Sequence, residues 1–495
     1  MSDYVKGSKR EQVILLPDRL DDYVDENNPV RFIDAFVDSL DLVKLGFKHA
    51  EPNEEGRPPY NPGDMLKLYI WGYLNQIRSS RKLERECHRD FEVVWLMRRL
   101  APDFKTISNF RKNNIDCIKP VFKEFICLCK SLDLFGAELV GIDSSKFRAV
   151  NSTDRNFNRE KLLYRLKCVE EAIERYLGEM EENDEKEASS GGEAVNNNKE
   201  RMKYLTERLK QLTEMKNKYE GLKARIEATG EKEISLTDPD SRCMKNNGKL
   251  EVCYNIQTAT DSRHKLIADY DVTNNSGDQN MLSDMAKSAK ETLEVERLDA
   301  TADRGYQDAF EILNCVQNGI TPYVPESSPV RGNMKKEGIP APEFFTNRFT
   351  YDKATDTYTC PAGQILKLWY KDAKCDGKIG ALYKTDGACF SCPHYTTRCS
   401  RNKHGRVIER WEHEEVLKEM RARLNSLDGR RKVRLRSELC EHPFGTIKRS
   451  FNQGYLLLKG LRNVRGEIGF TMLAYDMRRA INILGVKALI ASVRQ

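Results

Sequence analysis

Leu162, Leu166, Val169, Ile173, Tyr176 and Met180 step by 4, 3, 4, 3 and 4 residues, and Leu205, Leu209, Leu212, Tyr219, Leu222 and Ile226 nearly repeat the pattern. A seam of that period is what two helices need to pack knobs into holes. Between the runs, NDEKEASSGGEAVNNN is polar and rich in Gly, Ser and Asn, so it cannot bury a core. The segment 158–230 therefore predicts an antiparallel coiled-coil hairpin with a flexible tip; pairing between two chains would bury the same seam.

Strand patterns lie on both sides of this hairpin. Before it, AELVGID (137–143) is a short apolar run that delivers Asp143 at its end. After it, EVCYNIQTA (251–259) alternates, with HKLIADYDV (264–272) as hairpin partner across a turn at Asp261-Ser262-Arg263. LDATAD (298–303) is a further strand ending at Asp303, and helical patterns fill 280–293 and 308–317. Strands mixed with helices, with acids at strand ends, indicate an α/β core made of 136–157 and 231–324, resumed at 406–495. The segment 325–405 is a second interruption.

Residues 1–135 read as helical. Met65, Leu66, Leu68, Tyr69, Tyr73 and Leu74 have helical spacing behind Pro62, which suits a helix start. Thr106 is the expected N-cap of a short helix in TISNFRKNN. Arg78, Arg81 and Lys82 give this part a basic side that suits DNA contact, although a plain helical bundle could carry the same residues.

The chain is long enough for several domains, with 495 residues of which 39% are hydrophobic and 32% charged. It contains no apolar run of about 18 residues, so no membrane span is expected. Its start lacks the charged–apolar–small order of a signal peptide, and a cytoplasmic location is expected. The net charge of +6 is unevenly spread: from Arg401 onward there are 21 Lys and Arg against 10 Asp and Glu. Such a basic region attracts phosphates by steering and counterion release.

Three acids stand in distinctive settings: Asp143 in VGIDSSKFRA, Asp303 in ATADRGYQD, and Glu441 in SELCEHPFGTIKRS. Like charges brought within a few ångströms raise one another's pKa, a conflict that bound cations remove. Mg²⁺ takes oxygen ligands from one or two carboxylates together with substrate phosphates. Two such ions about 4 Å apart can activate an attacking oxygen and stabilise a leaving one in phosphodiester chemistry. The three residues are therefore candidate ligands of two Mg²⁺ (or Mn²⁺) ions; three unrelated surface carboxylates would show the same spacing. Because proline is tolerated in the first helical turn, Pro443 places Glu441 at or just before a helix start. The helix N-terminus would there favour its charged form. Lys448, Arg449 and Arg304 are candidates for phosphate contacts. Asp278 is a fourth acid, equally readable as an N-cap before Met281. Asp238, Asp240, Arg242 and Lys245 precede the alternating strand and are placed to shape its approach to the acids.

The 14 cysteines are mostly scattered, but Cys389 and Cys392 form a C-x2-C pair, with Cys399 following and Cys360 upstream. This is a common half-site pattern for a structural Zn²⁺. Cys375 and His394 compete as ligands, and reduced thiols in a small irregular subdomain are the alternative.

Taken in order, RPPYNPGDMLKLYIWGYLNQIRSSRKLE with PDFKTISNFRK, VGIDSSKFRAV, DPDSRCMK with YNIQTATD and VTNNSGDQ, ATADRGYQD and CEHPFGTIKRSF resemble the DDE transposases of bacterial insertion sequences. The resemblance runs across most of the chain. It implies an RNase H-like mixed-sheet core, an α-helical N-terminal DNA-binding domain (1–135) and a Cys-rich insertion before the last acid. It also implies that Asp143, Asp303 and Glu441 form the metal-binding triad, with Asp143 bridging both ions. Where many relatives carry an arginine, four residues before the glutamate, this chain has Ser437, with Arg434 and Arg436 close by. The implied activity is binding of the element's terminal inverted repeats, metal-dependent cleavage and strand transfer. The partners would be double-stranded DNA and, when DNA is bound, further copies of the chain. A two-metal nuclease that cuts without joining, and a non-enzymatic DNA-binding descendant, are the competing readings.

Overall fold

The computed structural model describes residues 19–51, 58–189, 194–326, 340–375 and 378–494. In chain order the helices are α1 (Pro29–Asp38), α2 (Pro62–Leu74), α3 (Ser80–Glu86), α4 (Phe91–Leu96), α5 (Phe104–Asn113), α6 (Ile118–Ser131), α7 (Arg159–Ser189), α8 (Ala194–Thr229), α9 (Leu282–Leu293), α10 (Ala309–Gln317), α11 (Glu414–Asn425), α12 (Leu427–Gly445), α13 (Leu461–Leu484) and α14 (Val486–Val493). The strands are β1 (Leu139–Arg148), β2 (Asn156–Asn158), β3 (Glu233–Ser235), β4 (Arg242–Asn246), β5 (Lys249–Asp261), β6 (Ile267–Thr273), β7 (Leu298–Thr301), β8 (Ile320–Tyr323), β9 (Thr350–Asp352), β10 (Thr357–Thr359), β11 (Ile365–Cys375), β12 (Lys378–Lys384) and β13 (Ile408–Trp411). The architecture is mixed α/β. Among the described residues no helix is long and apolar enough to cross a membrane.

Two compact units divide the chain, one built from 1–136, 144–277 and 441–495, the other from 137–143 and 278–440. In the first, Asn28 and Asn61 cap α1 and α2 by accepting the Val30 and Gly63 amides, each with a proline at the first helical position. Every residue of α2 is buried. The helices expected as a separate N-terminal domain thus share a unit with α13, whose Gly466 and Gly469 admit Ile115 and Tyr270 where any Cβ would overlap them. Strand β5 pairs antiparallel with β4 and β6 and neighbours β1. The cap of α5 is Asp103, which accepts the Lys105 and Thr106 amides, so Thr106 lies inside the helix rather than at its N-cap. A carboxylate three residues earlier out-competes the hydroxyl for the same orphan donors.

Helices α7 and α8 of this unit pair along the expected seam, with Leu162, Leu166, Val169, Leu205, Leu212 and Ile226 buried. Lys216 bonds Glu170 at 2.9 Å and Arg201 meets Glu179 at 3.5 Å, so the two helices run antiparallel. The hairpin tip at 190–193 and the leading stretch 1–18 lie outside the described residues.

In the second unit, β1 runs parallel to β7 and β7 parallel to β8, with α10 as the crossover between the latter two. A separate five-stranded sheet, β13-β12-β11-β10-β9, is antiparallel throughout. Phe349, Tyr358, Leu366, Tyr383 and Ile408 form its core. Helices α11 and α12 follow it.

Candidate active site

Leu139, Val140 and Ile142 are buried, which fixes β1 in a sheet interior. Its register against β7 pairs Leu139 with Asp299, Val140 with Ala300 and Gly141 with Thr301. Asp143 and Asp303 each lie two residues beyond the last pair. The parallel register therefore carries both acids to the same end of neighbouring strands, whose axes are about 4.8 Å apart. Two sequence expectations are refined here. Asp143 lies within β1 rather than at its end, because Ser144–Arg148 continue the strand, with Phe147 buried and Arg148 bridged to Tyr455. Asp303 lies just past β7, where its Oδ1 accepts the Gly305 amide at 2.7 Å and starts the turn Arg304–Tyr306.

A Cβ placed on Gly305 would stand 2.9 Å from Asp303 Oδ1 and 3.8 Å from Asp278 Oδ2, so both carboxyl groups flank this glycine. Asp278 is not the N-cap of α9: Met281 holds that position without a side-chain bond.

Helix α12 packs on β1 through Leu439 and Cys440, which form a cluster with Leu139. Gly141 permits the approach, since a Cβ there would lie 3.0 Å from Cys440 Sγ and 3.1 Å from Leu439 Cβ. Two cations on the inner side of this helix reach the strands. Arg436 Nη1 lies 3.6 Å from Asp143 Oδ2, and Lys432 Nζ bonds Asp299 Oδ2 at 2.7 Å. Burial works against the charge on Lys432, but its bonds to Asp299, Asp428 and Tyr323 prevail and raise its pKa. The sequence marks Arg436 as a neighbour of Glu441 but does not single out Lys432. The available signal was the four-residue step from Lys432 through Arg436 to Cys440, one helix face in front of Glu441.

Glu441 is exposed and immediately follows Cys440 in α12. It does not open a helix: α12 begins fourteen residues earlier at Leu427 and contains Pro443. The missing proline amide is tolerated because Leu439, Cys440, Phe444 and Ile447 are all buried and hold this stretch by packing. The supposed help from a helix N-terminus to the Glu441 charge therefore does not apply. Next to it, His442 Nδ1 meets the Tyr475 hydroxyl at 2.9 Å, and that hydroxyl donates to Lys265 O at 2.8 Å. The α12 end is thereby tied to α13.

The candidate phosphate contacts differ in availability. Arg304 and Arg449 are exposed, as are Arg81 and Lys82. Lys448 is half-buried; Nζ donates to Lys146 O at 2.8 Å and sits 4.9 Å over the Phe147 ring, and burial lowers its pKa. Arg78 is not a surface residue. It is 6% exposed, 3.4 Å from Glu467, donates to Tyr455 O at 2.9 Å and lies 4.5 Å over the Tyr455 ring. Its basic side chain satisfies the buried Glu467 carboxylate, which removes it from the DNA-contact set. Asp238 and Asp240 are likewise structural, accepting the Gly460 and Leu461 amides at the start of α13.

Burial first, and then the neighbouring Cys389, Cys360 and Cys392, push the Cys399 thiol up to about 11, against the opposing charge of Arg406. The four sulfurs named from sequence therefore share one neighbourhood. Gln364 N donates to Cys360 Sγ at 3.2 Å and Arg406 N to Cys389 Sγ at 3.4 Å. The His394 ring packs 5.1 Å from Phe344. Among the described residues, however, no group of three or more His, Cys, Asp or Glu is arranged to hold a metal ion.

Comparison with protein families matches residues 18–113 to a transposase domain (DUF772) and residues 359–481 to a transposase DDE domain. The two matches together support a DDE transposase. The second match covers Cys360, Cys389, Cys392, Cys399 and Glu441, together with α11 and α12. Comparisons with curated proteins and with solved structures returned no match. Transposase domains imply a DNA substrate, and a DDE domain implies an activity that cuts DNA and depends on divalent metal in general.

Proposed function

We propose that this transposase binds the terminal inverted repeats of its own element, cleaves DNA at the element ends and joins those ends to a target. Asp143, Asp303 and Glu441 are its three metal-binding carboxylates. The observation that carries this reading is the β1–β7 register, which sets Asp143 level with Asp303. Support for Glu441 comes from α12, which packs on β1 through Cys440, the residue before it, and reaches Asp143 through Arg436. The arrangement of β1, with β5 on one edge and parallel β7 then β8 on the other, supports an RNase H-like core.

The donor set fits Mg²⁺ or Mn²⁺, since all three groups are carboxylates and such ions take oxygen ligands. When bound, the metal would supply activation of the attacking oxygen and stabilisation of the leaving one. The side chains would orient the scissile phosphate. In the cleavage step a water oxygen forms a bond to phosphorus and the bond to the 3′ oxygen breaks, leaving a 3′-hydroxyl. In the joining step that hydroxyl attacks a target phosphate and displaces the target strand's own 3′ oxygen. Arg304, Arg449, Lys448, Arg81 and Lys82 would contact phosphates, and two copies of the chain would pair the two ends.

The C-x2-C pair with Cys360 and Cys399 nearby supports reading the four cysteines as ligands that would close around a structural zinc once it is bound. Two of the sulfurs accept backbone N–H bonds, the outer contacts that hold thiolate ligands in place. Zinc there would fasten the insertion at 325–405 and take no part in the reaction.

The test is a cleavage-and-joining assay on end DNA with Mg²⁺. Asp143→Asn, Asp303→Asn and Glu441→Gln should each abolish cutting while end binding survives. Cutting without joining would favour a nuclease, and binding without metal-dependent cutting would favour a DNA-binding descendant.

A further inference from the structure

We infer that the outer face of α12 is a track for the phosphate backbone of double-stranded DNA, formed by Arg430, Arg431 and Arg434. This inference rests on the transposase reading and adds to it a surface that neither the motifs nor the family matches single out. The helix has two chemically distinct sides. Its inner side carries Lys432, Leu435, Arg436, Leu439 and Cys440, whose cations are paired with Asp299, Asp428 and Asp143 and whose apolar groups meet β1. Its outer side exposes Leu427, Arg430, Arg431 and Arg434, with Leu427 87% exposed.

The two sides also differ in how their charges are used. Among the described residues none of the three outer guanidiniums makes a hydrogen bond or an ion pair. Arg421 on α11, by contrast, is bound to Glu326 at 2.6 Å and to Glu414 at 2.7 Å. Three unpaired arginines within five residues repel one another in the free protein, a cost that a polyanion removes. Arg430 and Arg434 are one helical turn apart, about 6 Å along the axis. They line two adjoining open grooves, each of about 420 Å³, one with Leu427 and Arg431 and the other with Arg421 and Leu424. Guanidinium is the side chain best matched to phosphate by its planar fork of donors.

Charge complementarity selects duplex DNA as the occupant. On the same helix, Arg436 is paired with Asp143, so a strand lying along the outer face would run beside the element that carries the proposed active-site groups. Glu438, exposed one turn beyond Arg434, lines the first of the two grooves together with the three arginines and ends the basic run.

The test measures binding of the full chain to a duplex of unrelated sequence across a salt series, in chelator and without divalent metal. Each lost phosphate contact lowers the slope of log K against log salt by about 0.9. The triple variant Arg430→Gln, Arg431→Gln, Arg434→Gln should therefore have a slope shallower by about 2 to 3 units and should bind at least about tenfold more weakly at low salt. The charge-preserving triple Lys variant should keep most of the slope. Unchanged affinity and slope in the Gln variant, with an unchanged melting temperature, would overturn the inference. Equal loss in the Gln and Lys variants would also overturn it as an electrostatic track. Because no cutting is read, the outcome is separable from the catalytic reading: wild type could bind with the full slope and still fail to cleave.

Discussion

Replacing Arg78 by Met would decide whether this residue belongs to the interior or to a DNA surface. The change removes a guanidinium that is 3.4 Å from Glu467 and 2.9 Å from Tyr455 O. Glu467 would be left in the core with the Leu457 and Leu458 amides, at 2.8 to 3.0 Å, and the charge of Arg111. Removing one partner of a buried pair costs about 3–5 kcal/mol. For a unit of this size each kcal/mol is worth roughly 2–4 °C, so the melting temperature should fall by on the order of 10 °C. The pH dependence adds a sign. Burial already raises the Glu467 pKa above the usual glutamate range, against the pull of its amide donors and Arg78. The folded state thus holds its proton more tightly than the unfolded chain, and this contribution to stability is lost as pH rises through the folded pKa. Without Arg78 that pKa climbs further, so the deficit of the variant should be larger at about pH 8 than at about pH 5, and adding Glu467→Gln should remove most of the difference. Thermal and urea unfolding at both pH values read this directly. A variant that melts within about 2 °C of wild type at both pH values, and binds DNA with a shallower salt slope, would refute the buried-pair argument and restore Arg78 as a phosphate contact.

Three further outcomes follow from local geometry. Gly141→Val would force side-chain atoms against Cys440 Sγ and Leu439, so it should destabilise the second unit by about 1–3 kcal/mol, read by urea unfolding. Cys389→Ser with Cys392→Ser should abolish zinc in metal analysis of the purified protein and expose the 325–405 segment to proteolysis; unchanged digestion and a metal-free wild type would remove the zinc proposal. Leu162→Asp, at a fully buried seam position, should separate α7 from α8 and appear as loss of helical signal, whereas the exposed Leu163→Asp should leave it intact.

The sequence made the periodic parts of this chain readable, because a heptad seam or an alternating strand is a local pattern with one common physical solution. The α7–α8 pair, β5 and β6 with their turn, α9 and α10 all stand where their spacing indicated. Residues whose roles are set by distant partners were not readable in the same way. Arg78 looks like any basic helix residue until Glu467, nearly four hundred positions away, is seen beneath it. Pro443 suggested a helix start because the propensity rule is local, while burial of Leu439, Cys440, Phe444 and Ile447 holds the helix through it. The apolar run AELVGID puts Asp143 at a strand end because the run stops there, yet β1 continues to Arg148. Of the candidate site, the pairing of Asp143 with Asp303 follows from two short motifs that happen to be adjacent parallel strands. The partnership of Arg436 with Asp143 had no local signature, since it depends on how α12 lies on β1.

The central claim is that the carboxylates of residues 143, 303 and 441 hold the same pair of divalent ions. A crystal structure of the chain grown with Mn²⁺ and end DNA, with anomalous scattering collected at the manganese edge, addresses it without relying on turnover. The account expects two manganese peaks about 4 Å apart, with Asp143 touching both and Asp303 and Glu441 one each. Peaks that leave Glu441 or Asp303 uncoordinated, or ions bound at other carboxylates such as Asp278 in place of them, would contradict it.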